Sequence, residues 1–203
     1  MRIKELSLPE LRELYHKELK TTFPPEELKP FFAMQRLLRA GEYIPLAWYD
    51  DETDELLGYA LLWTEGEGQP VLLDYFAVRA GLRGRGVGTK LLMSLEEYLE
   101  GRPMIIEAEA PDGGDEDELR RRRLDFYTRG GAEFLPYDCW LFGVHYRCLA
   151  TCRSGADGEK LMEAHRRLYL RKPKSIMHKY VRIPFLPGDE VPESVIWSEL
   201  EDE

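Results

Sequence analysis

The chain is poor in cysteine and histidine and lacks an apolar run of bilayer length. Its three cysteines, Cys139, Cys148 and Cys152, are an odd number placed late in the sequence. That is not the pattern of a disulfide framework, and it suits a reducing compartment. No stretch approaches the roughly 20 apolar residues that cross a bilayer. The opening Met1-Arg2-Ile3-Lys4-Glu5-Leu6 has no apolar segment of a secretion signal. A soluble, cytoplasmic protein with no membrane partner is expected. Excess positive charge is also missing: the formal net charge of −10 argues against a nucleic-acid partner and favours cationic ligands such as amines. Cys139, His145, Cys148 and Cys152 contain no Cys-x-x-Cys pair and lie in strand-like sequence, so no metal site is expected. His16, His165 and His178 each stand alone and read as structural.

What the 203 residues do contain is enough apolar sequence for one packed domain, with room for an appendage. Leu8, Leu11, Leu14, Tyr15 and Leu19 recur as one helical face over residues 8–20. Pro24-Pro25 opens a second predicted helix through Leu28, Phe31, Phe32, Met34, Leu37 and Leu38. Three strands follow, Tyr43 to Tyr49, Leu56 to Thr64 and Val71 to Val78, joined by polar turns as in an antiparallel meander. A helix from Lys90 to Glu100 is stopped by Gly101-Arg102-Pro103, and Met104 to Ala110 reads as a strand. Asp115 to Gly130 reads as a helix closed by Gly130-Gly131. Phe134 to Cys152 holds one or two strands, Gly155 to Arg171 a further helix, and Ser175 to Phe185 fits more than one state. Pro187 to Glu203, with two prolines and seven acidic residues, reads as an extended or mobile tail.

The run Arg83-Gly84-Arg85-Gly86-Val87-Gly88-Thr89 lies between the third strand and the next helix. A glycine-dense turn there strips side chains from the backbone N–H groups, which with the helix dipole make an anion site for phosphate. Arg83 and Arg85 add positive charge. The run is not a Walker A loop, because Val87 stands where lysine is required after the last glycine, counting from Gly81. It is not a Rossmann fingerprint either, since the final glycine position falls on Thr89 or Leu91. It does fit Arg-x-x-Gly-x-Gly from Arg83 to Gly88.

With the preceding Phe76-Ala77-Val78, that pattern resembles the acyl-coenzyme motif of the GNAT family of N-acetyltransferases. Leu124-Asp125-Phe126-Tyr127-Thr128-Arg129-Gly130-Gly131-Ala132 resembles the family's second signature, an aromatic-Tyr pair before a glycine-ended helix. The resemblance covers roughly residues 1–150 and is strongest from Val71 to Phe134. It implies an α+β fold: a mixed, mostly antiparallel sheet with splayed strands, flanked by helices. The core would occupy residues 1–152, with 153–203 as a C-terminal helical extension and acidic tail. That extension reads as a cover for the acceptor site or as a surface for self-association, such as a homodimer.

The implied cofactor is acetyl-CoA. Phe76, Ala77 and Val78 would bind its pantetheine through the backbone, with an N–H polarising the thioester carbonyl. Arg83, Gly84, Arg85, Gly86, Val87, Gly88 and Thr89 would cradle its pyrophosphate, and Tyr127 would contact the coenzyme and protonate the leaving thiolate. An amine attacking directly also needs a proton acceptor. Glu109, then Glu107, then Asp74 are the candidates, since carboxylates in central strands are costly unless paired or functional. Alternation puts Glu107 and Glu109 on one strand face. The implied acceptor is a primary amine on a small molecule, polyamine, antibiotic or peptide. The competing reading is a non-catalytic acyl-CoA-binding module. The run Asp115 to Arg123 mimics a basic patch, but Glu116–Arg120, Asp117–Arg121 and Glu118–Arg122 are spaced as i,i+4 pairs.

Overall fold

Apolar residues at nearly every position of 43–49 and 56–64 predict strands covered on both faces, and burial follows that pattern. The computed structural model describes residues 1–25, 27–151, 157–171 and 176–195. They form two units, Met1–Glu67 with Leu73–Glu100, and Gly68–Leu72 with Gly101–Val195.

In the first unit, β1 (Arg2–Glu5) leads into α1 (Leu8–Leu14), a π turn (Tyr15–Leu19) and α2 (Lys20–Thr22). The Glu10 carboxylate accepts from the Ser7 N–H at 2.9 Å and fixes the start of α1. α3 (Phe31–Arg39), β2 (Tyr43–Tyr49), β3 (Leu56–Thr64), most of β4 (Val71–Val78) and α4 (Val87–Tyr98) complete the unit. Its strand order is β1-β2-β3-β4. The antiparallel register runs Arg2↔Tyr49 to Glu5↔Leu46 and Tyr43↔Trp63 to Tyr49↔Leu56.

The second unit contains β5 (Met104–Glu109), α5 (Asp117–Arg129), β6 (Glu133–Leu141), β7 (Val144–Thr151), α6 (Gly158–Leu170) and β8 (Val181–Phe185). Its order is β5-β7-β6-β8. All of its neighbours are antiparallel except the start of β4, where Val71 and Leu72 pair in parallel with Met104 and Ile105. The expected α+β class with a mostly antiparallel sheet is what the chain adopts.

Three details depart from expectation. The second helix begins at Phe31, not at Pro24-Pro25. Pro30 disfavours the helical conformation at Lys29, and ahead of it Glu27 N–H bonds Pro24 O and Leu28 N–H bonds Pro25 O as isolated turns. β1 was not foreseen, because Arg-Ile-Lys-Glu has one apolar residue and gains its place by pairing with β2. The ambiguous stretch 175–185 ends in β8, an outer strand on β6. Elsewhere the expected elements form. Gly131 takes φ +97 after α5, and all three predicted Glu/Asp–Arg pairs of α5 are made, Arg121–Asp117 at 3.3 Å among them. Cys152, Gly155, Ser175, Trp197 and the end of the acidic tail lie outside the described residues. No helix among the described residues is long and apolar enough to cross a membrane.

Burial of tyrosine in this core has a pH consequence. Tyr59 is 2% exposed, and burial lifts its phenol from near 10 to about 12. A raised phenol pKa means the unfolded chain loses this proton first. The Tyr59 contribution is intact below about pH 10 and is lost as pH rises toward 12, at about 1.4 kcal/mol per pH unit. Urea midpoints should fall as pH rises from about 10 to about 12, and Tyr59→Phe should shallow the fall. An unchanged slope in the variant would remove Tyr59 as its source.

Candidate active site

The loop after β4 is built by two backbone requirements. Gly84 and Gly86 adopt φ +76 and +75, a conformation that glycine takes without steric cost. An added Cβ at either would touch nothing within 4 Å, so conformation and not crowding selects glycine there. Gly86 is the N-cap of α4 and brings no capping side chain. The helix ladder starts with Lys90 N–H to Gly86 O at 3.3 Å, which leaves the N–H groups of Val87, Gly88 and Thr89 as the first-turn donors. Arg83 and Arg85 are exposed, and Arg83 Nε donates to Val78 O at 3.3 Å, tying the guanidinium to the strand end. Three N–H donors at the positive end of a 12-residue helix, flanked by two arginines, fit a pyrophosphate.

One residue of this arrangement was not foreseen from the sequence. Gly58 sits in β3 where a Cβ would come 2.5 Å from Ala77 O and 2.5 Å from Leu91 Cδ1. The end of β4 and the first turns of α4 can therefore close on β3 only over a glycine. The available signal was a glycine inside an apolar strand, a mark of close backbone approach. Phe76 and Val78 are half-buried and Ala77 is buried, and the Phe76 ring meets Trp48 edge-on at 6.4 Å.

Asp74, four residues before Val78, is held by Lys29. The Lys29 ammonium donates to both carboxylate oxygens at 2.9 and 2.8 Å, and Tyr43 donates its hydroxyl at 2.5 Å. Burial, then the Asp74 charge, raises the Tyr43 phenol well above its ordinary value, so it stays a donor. The Lys29 ammonium also lies 4.3 Å over the Trp63 ring, and the Lys29 N–H donates to Tyr75 OH at 2.8 Å.

In the second unit Glu107 and Glu109 share a face of β5, as alternation required, but different helices hold them. Arg120 and Arg123 of α5 donate to the two oxygens of Glu109 at 3.0 and 2.8 Å. His165 and Tyr169 of α6 engage the two oxygens of Glu107, at 2.6 and 3.1 Å. Tyr127 is half-buried on α5 against Phe126, at a centroid distance of 5.1 Å. Burial pushes its phenol up to about 12, against the lowering effect of Arg123. The group is a protonated donor at neutral pH.

A glycine-capped loop after β4, followed by α4 and an antiparallel half-sheet, defines an acyl-coenzyme transferase fold. The sequence model of the acetyltransferase (GNAT) family matches residues 8–129, more than half of the chain, and the chain belongs to that family. Acetyl-CoA is the family's acyl donor, and the loop from Arg83 to Thr89 fits it. YjbC of Bacillus subtilis (strain 168), whose name assigns it to the acetyltransferases and gives no substrate, is 30% identical over 115 residues. That match takes in 57% of this chain and 54% of YjbC, so the chain spans about half the length of this relative. Among solved structures, a GNAT-family protein of Bacteroides thetaiotaomicron superposes with a TM-score of 0.70 at 23% identity, over 84% of this chain and 96% of that one. An aminoglycoside 6′-N-acetyltransferase complexed with coenzyme A superposes with a TM-score of 0.53 at 17% identity, over 77% and 99%. At these identities the two structures speak for the fold.

Proposed function

We propose that the chain transfers the acetyl group of acetyl-CoA to a primary amine by direct attack in a ternary complex. The observation that carries this is the loop: left-handed Gly84 and Gly86, three orphan N–H donors and two exposed arginines at one helix start. Bound acetyl-CoA supplies the thioester. The loop's N–H groups and Arg85 hold the anionic end, and the backbone of Phe76, Ala77 and Val78 holds the pantetheine, with an N–H directed at the thioester carbonyl.

Tyr127 is the proposed donor of a proton to the leaving thiolate, since its phenol is kept neutral. Glu109 is the proposed acceptor of the amine proton, through water. A carboxylate offers about four lone-pair sites, and the two guanidinium bonds leave Glu109 room for a water. Asp74 takes three hydrogen bonds from Lys29 and Tyr43, and Glu107 is enclosed by α6, so both suit holding structure better than proton traffic. The net charge of −10 supports a cationic acceptor: a polyamine, an aminoglycoside-type antibiotic or a peptide amine.

The test is thiol release from acetyl-CoA with a panel of such amines. Tyr127→Phe and Glu109→Gln are each expected to lower kcat by about 10²-fold while coenzyme binding persists. A double variant that turned over like wild type would overturn both roles. One observation favours a second reading: all three carboxylates singled out as bases are already engaged by other side chains. A non-catalytic acyl-CoA-binding module would bind the coenzyme and release no thiol with any amine.

A further inference from the structure

Four elements of the second unit bring metal-binding side chains to one buried point that the proposed reaction does not use. Cys139 of β6 and Cys148 of β7 stand on neighbouring antiparallel strands, both fully buried, with their sulfurs 3.5 Å apart. His165 of α6 is also fully buried. Its Nε2 lies 2.6 Å from Glu107 Oε1 of β5. One donor atom each from Glu107, Cys139 and His165 fall within 4.8 Å of one another. We propose that Glu107, Cys139, Cys148 and His165 form a closed four-donor site for Zn2+ that fastens α6 to β5, β6 and β7.

Donor chemistry selects the ion. Two thiolates, an imidazole and one carboxylate are a zinc set, whereas Mg2+ and Ca2+ take oxygen. Zn–S bonds of about 2.3 Å in a tetrahedron put two sulfurs about 3.8 Å apart, close to the 3.5 Å seen here. The Nε2 to Oε1 contact is a hydrogen bond at 2.6 Å, and an ion bound to both atoms would take the place of its proton as they part to about 3.4 Å. Binding would release that proton and the two thiol protons to solvent, while Nδ1 keeps its own proton toward Tyr137 OH and the imidazole stays neutral, with no change of oxidation state.

The surroundings are those of a metal's supporting residues. Tyr137 OH lies 3.1 Å from Nδ1, the ring nitrogen turned away from Glu107. Tyr169 OH donates to Oε2, the carboxylate oxygen turned away from His165, at 3.1 Å. Partners on the far side of the histidine and the carboxylate are what fix ligand orientation at metal sites. His145, which the sequence placed nearer the cysteines, hydrogen-bonds Asp138 at 3.0 Å instead. The four donors sit at positions 107, 139, 148 and 165, on separate elements, so no spacing motif announces them.

The deciding experiment is metal analysis of the full chain, purified without chelator or metal-affinity tag. Stoichiometric zinc is expected, retained on dialysis and removed only by a strong chelator with exposure of two additional reactive thiols. Replacement by Co2+ should give the intense visible bands of a tetrahedral site and a sulfur-to-cobalt charge-transfer band. Cys139→Ser, Cys148→Ser and His165→Gln should each lose more than about 10-fold in zinc affinity, and Cys152→Ser should keep it. Buried variants can fail to fold, so the zinc content and cobalt spectrum of the wild-type protein are the decisive readouts. Substoichiometric zinc after equilibration with Zn2+, together with a cobalt spectrum lacking the sulfur band, would overturn the site. So would a Cys139–Cys148 disulfide found by mass in protein equilibrated with Zn2+ under reducing conditions.

Discussion

Lys29→Met is expected to destabilise the first unit by about 3–5 kcal/mol, the cost of stranding one member of a buried ion pair. The Lys29 side chain is 1% exposed and the Asp74 side chain 9%. The ammonium satisfies both carboxylate oxygens and sits over the Trp63 ring, while Tyr43 gives Asp74 a third hydrogen bond. Methionine fills much of the same volume, so the loss is one of charge and hydrogen bonds and not of packing. Asp74 would keep a single phenol donor for a buried negative charge. Asp74→Asn should be comparably costly, because it leaves the ammonium buried. A Lys29→Met/Asp74→Leu double variant should recover most of the loss, since a buried pair is worth little against apolar residues of similar size. Urea unfolding followed by tryptophan fluorescence measures all three. A single-variant cost below about 1 kcal/mol would place the pair among the solvent-screened contacts of the surface. The same variants separate structure from catalysis at Asp74: folded Asp74→Asn should keep kcat if Glu109 is the proton acceptor.

Gly58→Ala is expected to weaken acetyl-CoA use by about 10²-fold in kcat/KM, the scale of an ångström-sized misplacement of binding groups. The new Cβ would stand 2.5 Å from Ala77 O and from Leu91 Cδ1. Leu91 can change rotamer, but Ala77 O belongs to the backbone of β4 immediately before Val78. Relief of that contact has to move the strand end, and the loop from Arg83 to Thr89 follows from it. Folding should suffer less than function, by about 1–3 kcal/mol, as for other overpacked sites. Gly81→Ala is the control, because a Cβ there meets nothing within 4 Å and its φ is ordinary. Coenzyme affinity by calorimetry and kcat/KM by thiol release would both register the shift. Wild-type values in folded Gly58→Ala would show that the strand end and the loop adjust independently.

Most of the regular structure could be read from the chain because it is written in local periodicity. β2, β3, β4 and β5 appear as apolar runs between polar turns, and α5 declares itself through three acid–arginine pairs four residues apart. The coenzyme loop was legible for the same reason, as glycines at a strand–helix junction demand a particular backbone. The elements missed lack such a local signal. β1 has one apolar residue in four, and the helix start at Phe31 depended on Pro30 overruling an attractive Pro24-Pro25.

The candidate site divides along the same line. Sequence alone identified the family, through the Arg-x-x-Gly-x-Gly run and the Phe126-Tyr127 signature, and identified the carboxylates whose presence in strands needed a reason. It determined these because each is a property of a few consecutive residues and of the backbone they impose. Only the tertiary structure decided what those carboxylates do: Asp74 answers to Lys29, 45 positions away, Glu109 to Arg120 and Arg123, and Glu107 to His165, 58 positions away. It alone gathered Cys139, His165 and Glu107, set Cys148 against Cys139, and made Gly58 a contact point between β3, β4 and α4. A charge buried by one segment is neutralised by whichever segment folds against it, and nothing in the spacing of two residues far apart in the chain states that they will meet.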